Sequence, residues 1–549
     1  MLEQILSEGF SSLSTIEEIE IVNEIPSTKS SYFQIWKVNT EISVNGKYKG
    51  LILYIGFKET VPYTLPDVYA PEYSFGDFPH IESNHKLCLY EEGITYNISR
   101  YSDVIKEVFK RAKLLISDGL NNKNHLEFKT EILSYWCHSY NNDFEITSKP
   151  TLIYEEPDNT ALLYPHQIGI DGQNCILYSP EESLSFENKK YNRQVDGEAL
   201  YIRDFPIWDN PPFIITGNAI HELLSTHPDF KIIRKYINSH KQGLLIFKFP
   251  DTSIFCGIRI DSINVNKRGF RKGILSRYDV LTNFEYKNKP LKRVSVKLYN
   301  PQRLAERTIG HMPDERKFFI GGLGSIGSNL VHFLISYLNS EFILVDNDIL
   351  NVENIGRHLL GLADIGKFKV HALKNYIKRI RPEVKITCIV DDLTECFNIN
   401  HVQSQTAIIL CTGSFMDEKY FLHKLQENKV NTPVFILWLE PYGAAGHMIY
   451  INETNYEGYH QSLFDSNNNL YVNNIISSNE YFLRPEMFTK NETGCNGTYT
   501  NYGGNDVIMF LCEMIPIINR LINNPENSQT FRWIGNINQV KEKGIKLNL

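Results

Sequence analysis

The sequence predicts an α/β multidomain protein, and three observations lead to this fold class. The chain has 549 residues, which is too long for one ordinary hydrophobic core and favours about two to four domains. Residues 318–346 alternate an apolar strand, a glycine-rich turn, an apolar helix and a second strand, as a nucleotide-binding βαβ unit does. Later apolar segments, VKITCIVDD, TAIILCTG and TPVFILWLEPYG, alternate with helices and predict that a mostly parallel sheet continues.

Composition and charge argue against several classes of protein. A hydrophobic content of 42% is that of a globular chain with ample apolar surface to bury. The net charge of -8, without any basic tract, argues against nucleic-acid binding. The N-terminus lacks the basic start and long apolar core of a signal peptide, and no window reaches about 18 apolar residues. We therefore expect a cytoplasmic protein that does not bind membranes.

The nine cysteines include no C-x-x-C pair. This pattern favours neither a disulfide framework nor a four-cysteine zinc site. Most of the thiols are expected to be small buried hydrophobic groups. Cys512, in an apolar helix, is assigned to packing.

Residues 1–145 predict an α+β domain. An amphipathic helix is followed by two alternating strands, FQIWKVNTEISV and LILYIGF, that pair across the turn NGKYKG. A proline-rich crossing, KETVPYTLPDVYAPE, leads to a polar loop that ends at Cys88. The helix DVIKEVFKRAKLLISDGL is expected to stop at its glycine.

Residues 146–300 form the least informative part of the sequence. Short apolar segments alternate with turns rich in Asn, Asp, Pro and Gly. This composition predicts a strand-rich domain or an elaborated linker that holds residues 1–145 and 301–549 at a set distance.

The nucleotide site is predicted at residues 322–369. Gly322, Gly324 and Gly327 supply G-x-G-x-x-G. The second strand ends at Asp346, roughly 20 residues later, where a carboxylate can bind ribose hydroxyls. These features fit a dehydrogenase equally well.

The polar residues after the second strand distinguish a site for AMP transfer from the site of a dehydrogenase. Asp348, Asn354, Arg357 and Lys369 follow Asp346 at close spacing and can close over a triphosphate. Charge that develops at an α-phosphate during transfer of AMP must be met by fixed cations and donors. The alternative is that Arg357 and Lys369 are solvated side chains.

Two cysteines are candidate nucleophiles. Cys495 lies between Gly494 and Asn496, before a helix expected to open at Asn505 or Asp506, so its sulfur is accessible and near a helix N-terminus that favours the thiolate. Cys88 lies between two leucines, and for such a cysteine the alternative is a packing role in the core.

The segments VDND, NVENIGRH and DIGKFK resemble the adenylation domain of the family that activates ubiquitin, molybdopterin synthase and the thiamine sulfur carrier (ThiF/MoeB type). The resemblance covers about 200 residues, from near Arg303 into the last helix. It implies ATP and Mg²⁺ as cofactors and Asp346 as the ribose ligand. The phosphate ligands that it implies are Asn354, Arg357 and Lys369. It also implies that Cys495 takes the acyl group from the adenylate.

Two features of this resemblance concern residues outside the glycine loop. The family has a magnesium-binding aspartate directly after Cys-Thr, whereas Gly413 follows Thr412 here, so the metal ligand is unknown and Asp348 or Asp417 are its possible substitutes. An arginine before the glycine loop reaches the partner subunit's nucleotide in the family. Arg303 or Arg307 would fill that role in a homodimer, and a solvated helix face is the alternative.

The order of elements in residues 1–145 resembles a ubiquitin-conjugating domain. The residues that carry the resemblance are Pro62, Tyr63 and Pro66, then His80, then Leu87, Cys88 and Leu89. It implies that Cys88 carries a thioester, which requires only the thiol. His80 is assigned a structural hydrogen-bonding role, and Glu82 stands where the family has an oxyanion-stabilising asparagine.

The combination of both domains in one chain resembles the fusion proteins of bacterial CBASS antiphage operons. This resemblance implies an ATP-dependent enzyme that adenylates the C-terminal carboxylate of a cGAS-like CD-NTase. The acyl group then passes from Cys495 to Cys88 and on to a target amine. Activation of a ubiquitin-like or sulfur-carrier protein, a non-catalytic scaffold and a nicotinamide enzyme are the alternatives.

Overall fold

The computed structural model describes residues 2–26, 31–91, 93–138, 143–144, 150–168, 175–180, 197–206, 213–263, 276–284, 286–312, 314–336, 340–491 and 498–548. The chain forms two compact units, the first within residues 1–298 and the second built mainly from residues 299–549. Across these described ranges, no helix has both the length and the apolar character that crossing a bilayer requires.

The first unit opens with an α+β domain whose antiparallel sheet has the strand order β1-β2-β3-β4. Its elements are α1 (Leu2–Ser14), β1 (Glu18–Val22), β2 (Gln34–Val44), β3 (Lys47–Phe57), β4 (Asp67–Tyr69), α2 (Tyr101–Leu120), α3 (Glu127–Thr130) and α4 (Ile132–Cys137). Helices α1 and α2 cover one face of this sheet, where Trp36 is fully buried.

The β2–β3 hairpin confirms the predicted strand pair. Asn45 and Gly46 have φ of 49° and 75°, the left-handed conformations that a two-residue type I′ turn needs. Strand β3 begins at Lys47, so most of the segment expected to be turn is paired strand. The glycine stop predicted for α2 is wrong, because Gly119 lies inside the helix. A Cβ at Gly119 would be 2.4 Å from Cγ of Phe78, so this glycine permits close packing.

The first unit continues with a closed barrel. The sequence predicted a strand-rich domain or a linker in this region, and the barrel is the strand-rich form. The strands follow the order β10-β11-β5-β7-β6-β8-β9. The elements are β5 (Thr151–Ile153), β6 (Ala161–Ile168), β7 (Cys175–Ser179), β8 (Ala199–Tyr201), α5 (Gly217–Leu224), α6 (Phe230–Ser239), β9 (Gly243–Lys248), β10 (Phe255–Ile260), α7 (Arg277–Asn283) and β11 (Lys292–Leu298).

Buried Arg293 of β11 fixes helix α4 against the barrel. Its guanidinium pairs with Asp143 at 3.0 Å and donates hydrogen bonds to the carbonyl oxygens of Trp136 and His138. The indole of Trp136 donates to the Val294 carbonyl at 3.0 Å. Because buried charges are tolerated only when paired and hydrogen-bonded, these contacts hold α4 in one position.

The second unit is a three-layer α/β domain with the strand order β14-β13-β12-β15-β16-β17-β20. Its elements are α8 (Pro301–Ile309), β12 (Arg316–Gly321), α9 (Ser325–Leu334), β13 (Ser340–Val345), α10 (Lys369–Ile380), β14 (Lys385–Ile389), α11 (Ile399–Val402), β15 (Ala407–Leu410), α12 (Phe415–Glu427), β16 (Val434–Leu439), β17 (Ala445–Ile451), α13 (Tyr456–Ser462), α14 (Ser478–Leu483), α15 (Pro485–Phe488), β18 (Thr489–Asn491), β19 (Thr498–Thr500), α16 (Gly504–Asn523), β20 (Gln529–Ile534) and α17 (Ile537–Glu542).

Five neighbouring strands of this sheet, β14 to β16 in spatial order, are parallel, and β17 and β20 extend it in antiparallel fashion. Successive residues point to opposite faces: Phe318 and Ile320 join one apolar cluster, and Phe319 joins the other. The mostly parallel, Rossmann-like sheet predicted from the sequence is confirmed. Its carboxyl edge is where ligands bind in open α/β sheets.

Candidate functional site

The glycine loop joins β12 to α9 and requires glycine at two of its three motif positions. Gly322 has a φ of 85°, and a Cβ there would lie 2.8 Å from the backbone of Cys411 and Thr412. A Cβ on Gly327 would lie 1.9 Å from the carbonyl oxygen of Gly322, whereas nothing lies within 4 Å of a Cβ on Gly324. The first-turn N–H groups of α9, which have no intrahelical acceptor, form an end suited to an anion.

Asp346 follows β13 and braces this loop. Its carboxylate accepts hydrogen bonds from the N–H groups of Leu323 at 2.6 Å and Asp348 at 2.8 Å. Burial raises the pKa of Asp346, and the nearby charge of Lys369 opposes that shift. The side chain predicted to bind ribose is therefore held rigidly at the carboxyl end of β13.

Lys369 is the first residue of α10 and points into the same region. Its Nζ lies 2.6 Å from the Asp348 carboxylate and 3.9 Å from the Asp346 carboxylate. Only 6% of Lys369 is exposed, so the alternative that it is a solvated helix start does not hold. The structure brings Asp346, Asp348 and Lys369 together at the edge of the sheet.

Arg357 connects this region to the segment that leads into α16. Its guanidinium donates to the carbonyl oxygen of Thr500 at 2.6 Å and stacks 4.6 Å from the ring of Tyr502. The hydroxyl groups of Tyr502 and Ser325 lie 2.8 Å apart. Residues 500–502 are thus fastened to both Arg357 and the start of α9.

Three other residues were predicted to contact a nucleotide. Asn354 lies in a 3-10 turn, where its side-chain oxygen accepts from the Asn351 N–H at 3.0 Å and supports the loop. Arg303 and Arg307 lie exposed on α8. Their expected contact with a partner subunit's nucleotide stays a prediction.

The loop after β15 packs against a buried carboxyl group of α12, which the sequence did not reveal. Gly413 has a φ of 69°. Glu418 of α12 accepts a hydrogen bond from the Thr412 hydroxyl at 3.0 Å. Burial raises the pKa of Glu418 to about 8, although its hydrogen bonds act in the opposite direction. A protonated carboxyl is a poor magnesium ligand, because hard cations prefer carboxylates.

The predicted thioester residue Cys495 lies outside the described residues. Strands β18 and β19 on either side of it in sequence pair antiparallel. Helix α16 begins at Gly504, and Asp506 accepts the N–H of Gly503 at 2.8 Å, so the helix opens before the expected Asn505 or Asp506. The packing role expected for Cys512 is wrong: this cysteine is exposed on α16.

Cys88 forms part of a second candidate centre, in the first unit. An isolated bridge pairs Ile81 with Leu87, and the Cys88 N–H donates to the His80 carbonyl oxygen at 2.9 Å. Leu87 is buried, whereas Cys88 is exposed. The alternative that Cys88 is a core cysteine is therefore excluded by its placement.

Two glutamates hold His80 beside Cys88. Nε2 of His80 lies 2.9 Å from the Glu127 carboxylate, and Nδ1 lies 2.8 Å from the Glu131 carboxylate. The Cys88 sulfur, a ring nitrogen of His80 and a Glu131 oxygen all lie within 4.8 Å of one another. A hydrogen bond with Cys88 and one with Glu131 raise the pKa of His80 to about 10, while burial acts against this shift.

Sequence reasoning missed both glutamates. Their four-residue spacing places them on one side of a helical turn, but they follow His80 by 47 and 51 positions, and no motif links them to it. Burial would raise the pKa of Glu131, yet its hydrogen bonds with His80 lower it below its ordinary value.

Comparison with protein families identifies two segments. Residues 314–486 match the ThiF family, and residues 27–145 match prokaryotic E2 family B. The chain therefore combines an adenylation-type segment with an E2-like segment. No curated protein matches the chain.

Solved structures give distant similarities. A PaaA structure has 16% identity and a TM-score of 0.31, covering 40% of this chain and 69% of that chain. The E. coli MccB structure with ATP has 13% identity and a TM-score of 0.29, covering 42% and 62%. E. coli TcdA, a tRNA N6-threonylcarbamoyladenosine dehydratase in complex with AMP, has 17% identity and a TM-score of 0.23, covering 26% and 63%. The matches to MccB and TcdA span less than two thirds of those chains.

Proposed function

We propose that this chain, which carries a ThiF-family segment and a prokaryotic E2 family B segment, activates a protein carboxylate with ATP and conjugates it to an amine. The substrate is the C-terminal carboxylate of a partner protein, in the first instance a cGAS-like CD-NTase of a CBASS operon. A ubiquitin-like or sulfur-carrier protein is the alternative substrate. Residues 1–145, 146–300 and 301–549 are the proposed conjugating, linking and adenylating domains.

The observation that carries this proposal is the grouping of Lys369, Asp346 and Asp348 beside the glycine loop. Lys369 is buried with its charge directed at the carboxyl edge of the sheet. A hydride-transfer site needs no such cation, whereas attack at an α-phosphate develops negative charge that a fixed cation stabilises. Arg357, which contacts Thr500 and Tyr502, supplies a second cation.

The first chemical step joins the partner's carboxylate to AMP. A carboxylate oxygen attacks the α-phosphorus, an acyl–O–P bond forms, and pyrophosphate leaves with the electron pair of the broken P–O bond. Asp346 orients the ribose, and Lys369, Arg357 and the first turn of α9 bind the phosphates. Asn354 completes the phosphate contacts proposed from the resemblance.

Magnesium would neutralise charge on the triphosphate. Asp348 is a carboxylate that fits this ion, because its side chain is 64% exposed and follows strand β13. Glu418 does not fit, because burial keeps it protonated near neutral pH.

The acyl group then passes through two thiols. Cys495 attacks the adenylate and releases AMP, Cys88 takes the acyl group by thioester exchange, and an amine removes it. Dividing the reaction in this way converts a poor acyl donor into a reactive one. A homodimer, in which Arg307 reaches the partner subunit's nucleotide, belongs to the same proposal.

The test is to incubate the full chain with ATP and the purified CD-NTase and to resolve the products with and without reductant. We expect partner-dependent exchange of pyrophosphate into ATP and a thiol-sensitive adduct that Cys495→Ala abolishes. Cys88→Ala should retain the Cys495 adduct and lose conjugation. Cys512→Ala is the matched control, since Cys512 is also exposed. Absence of exchange with both classes of partner, or an adduct that survives Cys495→Ala, would contradict the proposal.

A further inference from the structure

We propose that Cys88, His80 and Glu131 form a catalytic triad for acyl transfer to amines, with Glu127 as a second positioning carboxylate. This inference rests on the proposed function of Cys88 as an acyl carrier. It changes the role of His80 from a structural hydrogen-bonding residue to a catalytic one. It also supplies a group for aminolysis in a domain where Glu82 replaces the asparagine expected from the resemblance.

The local backbone places the nucleophile and the base side by side. The Ile81–Leu87 bridge closes a short loop, so the residues flanking it, His80 and Cys88, face each other and share a backbone hydrogen bond of 2.9 Å. His80 adopts a φ of 68°, a left-handed conformation that is uncommon outside glycine but that histidine adopts more readily than most residues. This backbone conformation is part of the loop that places His80 beside Cys88.

The carboxylates come from a separate and rigid part of the unit. Glu127 opens α3, and Glu131 lies between α3 and α4. Helix α4 is held in turn on the barrel strand β11, where Arg293 donates to the Trp136 carbonyl oxygen and the Trp136 indole donates to the Val294 carbonyl oxygen. A nucleophile, a histidine and an orienting carboxylate within 4.8 Å of one another are the groups from which an activated cysteine is built.

The contacts of His80 favour its protonated form as long as Cys88 carries no acyl group. A hydrogen bond with Cys88 is the largest cause of the raised pKa of His80, and one with Glu131 follows. Acylation of Cys88 removes the thiol from this hydrogen bond, so that cause is lost. His80 then becomes a better proton donor and, once neutral, a base.

The proposed cycle conserves protons. The Cys88 thiolate attacks the donor thioester, its S–C bond forms, the donor S–C bond breaks, and the departing thiolate takes the proton from His80. An amine then attacks the Cys88 thioester and gives its proton to neutral His80. The new C–N bond forms, the Cys88 S–C bond breaks, and the thiolate is again paired with the imidazolium. Glu131 and Glu127 hold the ring throughout.

A zinc site is the competing interpretation, since histidine, cysteine and glutamate are zinc ligands. Each ring nitrogen of His80 lies within hydrogen-bond distance of a carboxylate, Nε2 of Glu127 and Nδ1 of Glu131. Zinc binding and proton transfer at Cys88 both require one of these nitrogens to release its carboxylate, so removal of metal separates the two interpretations. All assays below therefore include EDTA, and loss of the wild-type rates on adding EDTA would overturn the triad.

The experiment uses p-nitrophenyl acetate as the acyl donor and free lysine as the acceptor, so it needs neither ATP nor a partner protein. The full chain carries Cys495→Ala and Cys512→Ala, and acetylation of Cys88 is followed by peptide mass spectrometry. We expect His80→Asn to slow both acetylation and lysine-dependent deacetylation by about 100-fold or more, the range of general acid–base catalysis. Asparagine is chosen because it tolerates the left-handed backbone that His80 adopts.

The glutamates are tested with isosteric, uncharged variants. Glu131→Gln and the double variant with Glu127→Gln should lower the rate at neutral pH and change its pH profile, an effect that a purely structural role would not produce. Glu107→Gln is the matched control, since Glu107 is exposed and pairs with Arg111 on α2. Unchanged rates and pH profiles in the double variant would overturn the triad. Because no ATP is used, this result is independent of whether the adenylation proposal holds.

Discussion

Lys369 lies 2.6 Å from Asp348 and 3.9 Å from Asp346, so the cation assigned to phosphate binding is already paired with two carboxylates. The two carboxylates differ in how firmly their side chains are held. Asp346 is fixed by the N–H groups of Leu323 and Asp348, whereas the Asp348 side chain is 64% exposed. A triphosphate can therefore displace Asp348 from Lys369 while Asp346 keeps its position.

The first prediction concerns Lys369. Lys369→Gln should lower partner-dependent ATP–pyrophosphate exchange by about 100-fold or more, because one preorganised cation at the transition state is lost. Lys385→Gln is the control, since Lys385 is also paired with a carboxylate but is 74% exposed. Exchange at the wild-type rate in Lys369→Gln would remove this residue from the site.

The second prediction concerns the hydrogen bond from Arg357 to the carbonyl oxygen of Thr500, in the segment after Cys495. Arg357→Lys keeps the charge but loses the planar group that stacks on Tyr502 and donates to Thr500. We expect this variant to reduce the Cys495 adduct more strongly than it reduces ATP binding, measured by calorimetry. Tyr502→Phe loses only the contact with Ser325 and keeps the ring, so its adduct yield should stay close to wild type. Equal losses of binding and adduct in Arg357→Lys would show that Arg357 acts on the nucleotide alone.

The third prediction concerns Glu418. In the unfolded chain this carboxyl has its ordinary pKa of 4.5, whereas burial raises its pKa in the folded chain to about 8. Between these values the folded state binds more protons, so its stability falls as pH rises, by up to roughly 1.4 kcal/mol per pH unit. Glu418→Gln should raise Tm at alkaline pH and have little effect near pH 4.5. Glu427→Gln, on the exposed end of the same helix, is the control, and a Tm gain independent of pH would refute the assignment.

The sequence contained enough information to predict the strand, loop and helix that carry the glycine motif. Gly322 and Gly327 are required by local geometry, and a short stretch of chain holds the motif that they form. The hairpin at Asn45 and Gly46 could be predicted for the same reason, because two adjacent residues determine the turn.

Contacts between distant residues could not be predicted in this way. His80 meets Glu131 at the start of α4, a helix that Arg293 holds on the barrel. The closed barrel itself was expected only as a strand-rich region, since its strands are short and pair out of chain order. The burial of Glu418 depends on how α12 packs below Thr412, which no local pattern indicates.

The fourth prediction concerns two glycines of the loop, Gly327 and Gly324, whose surroundings differ. Gly327→Ala places a Cβ 1.9 Å from the Gly322 carbonyl oxygen, so α9 must move away from the loop. We expect a loss of stability of about 1–3 kcal/mol or more and a loss of ATP binding. Gly324→Ala has open space within 4 Å of the new Cβ and should leave Tm close to wild type. Thermal melts with and without ATP check both variants. If Gly327→Ala keeps both its Tm and the shift that ATP produces, the first turn of α9 does not form the phosphate-binding end of this site.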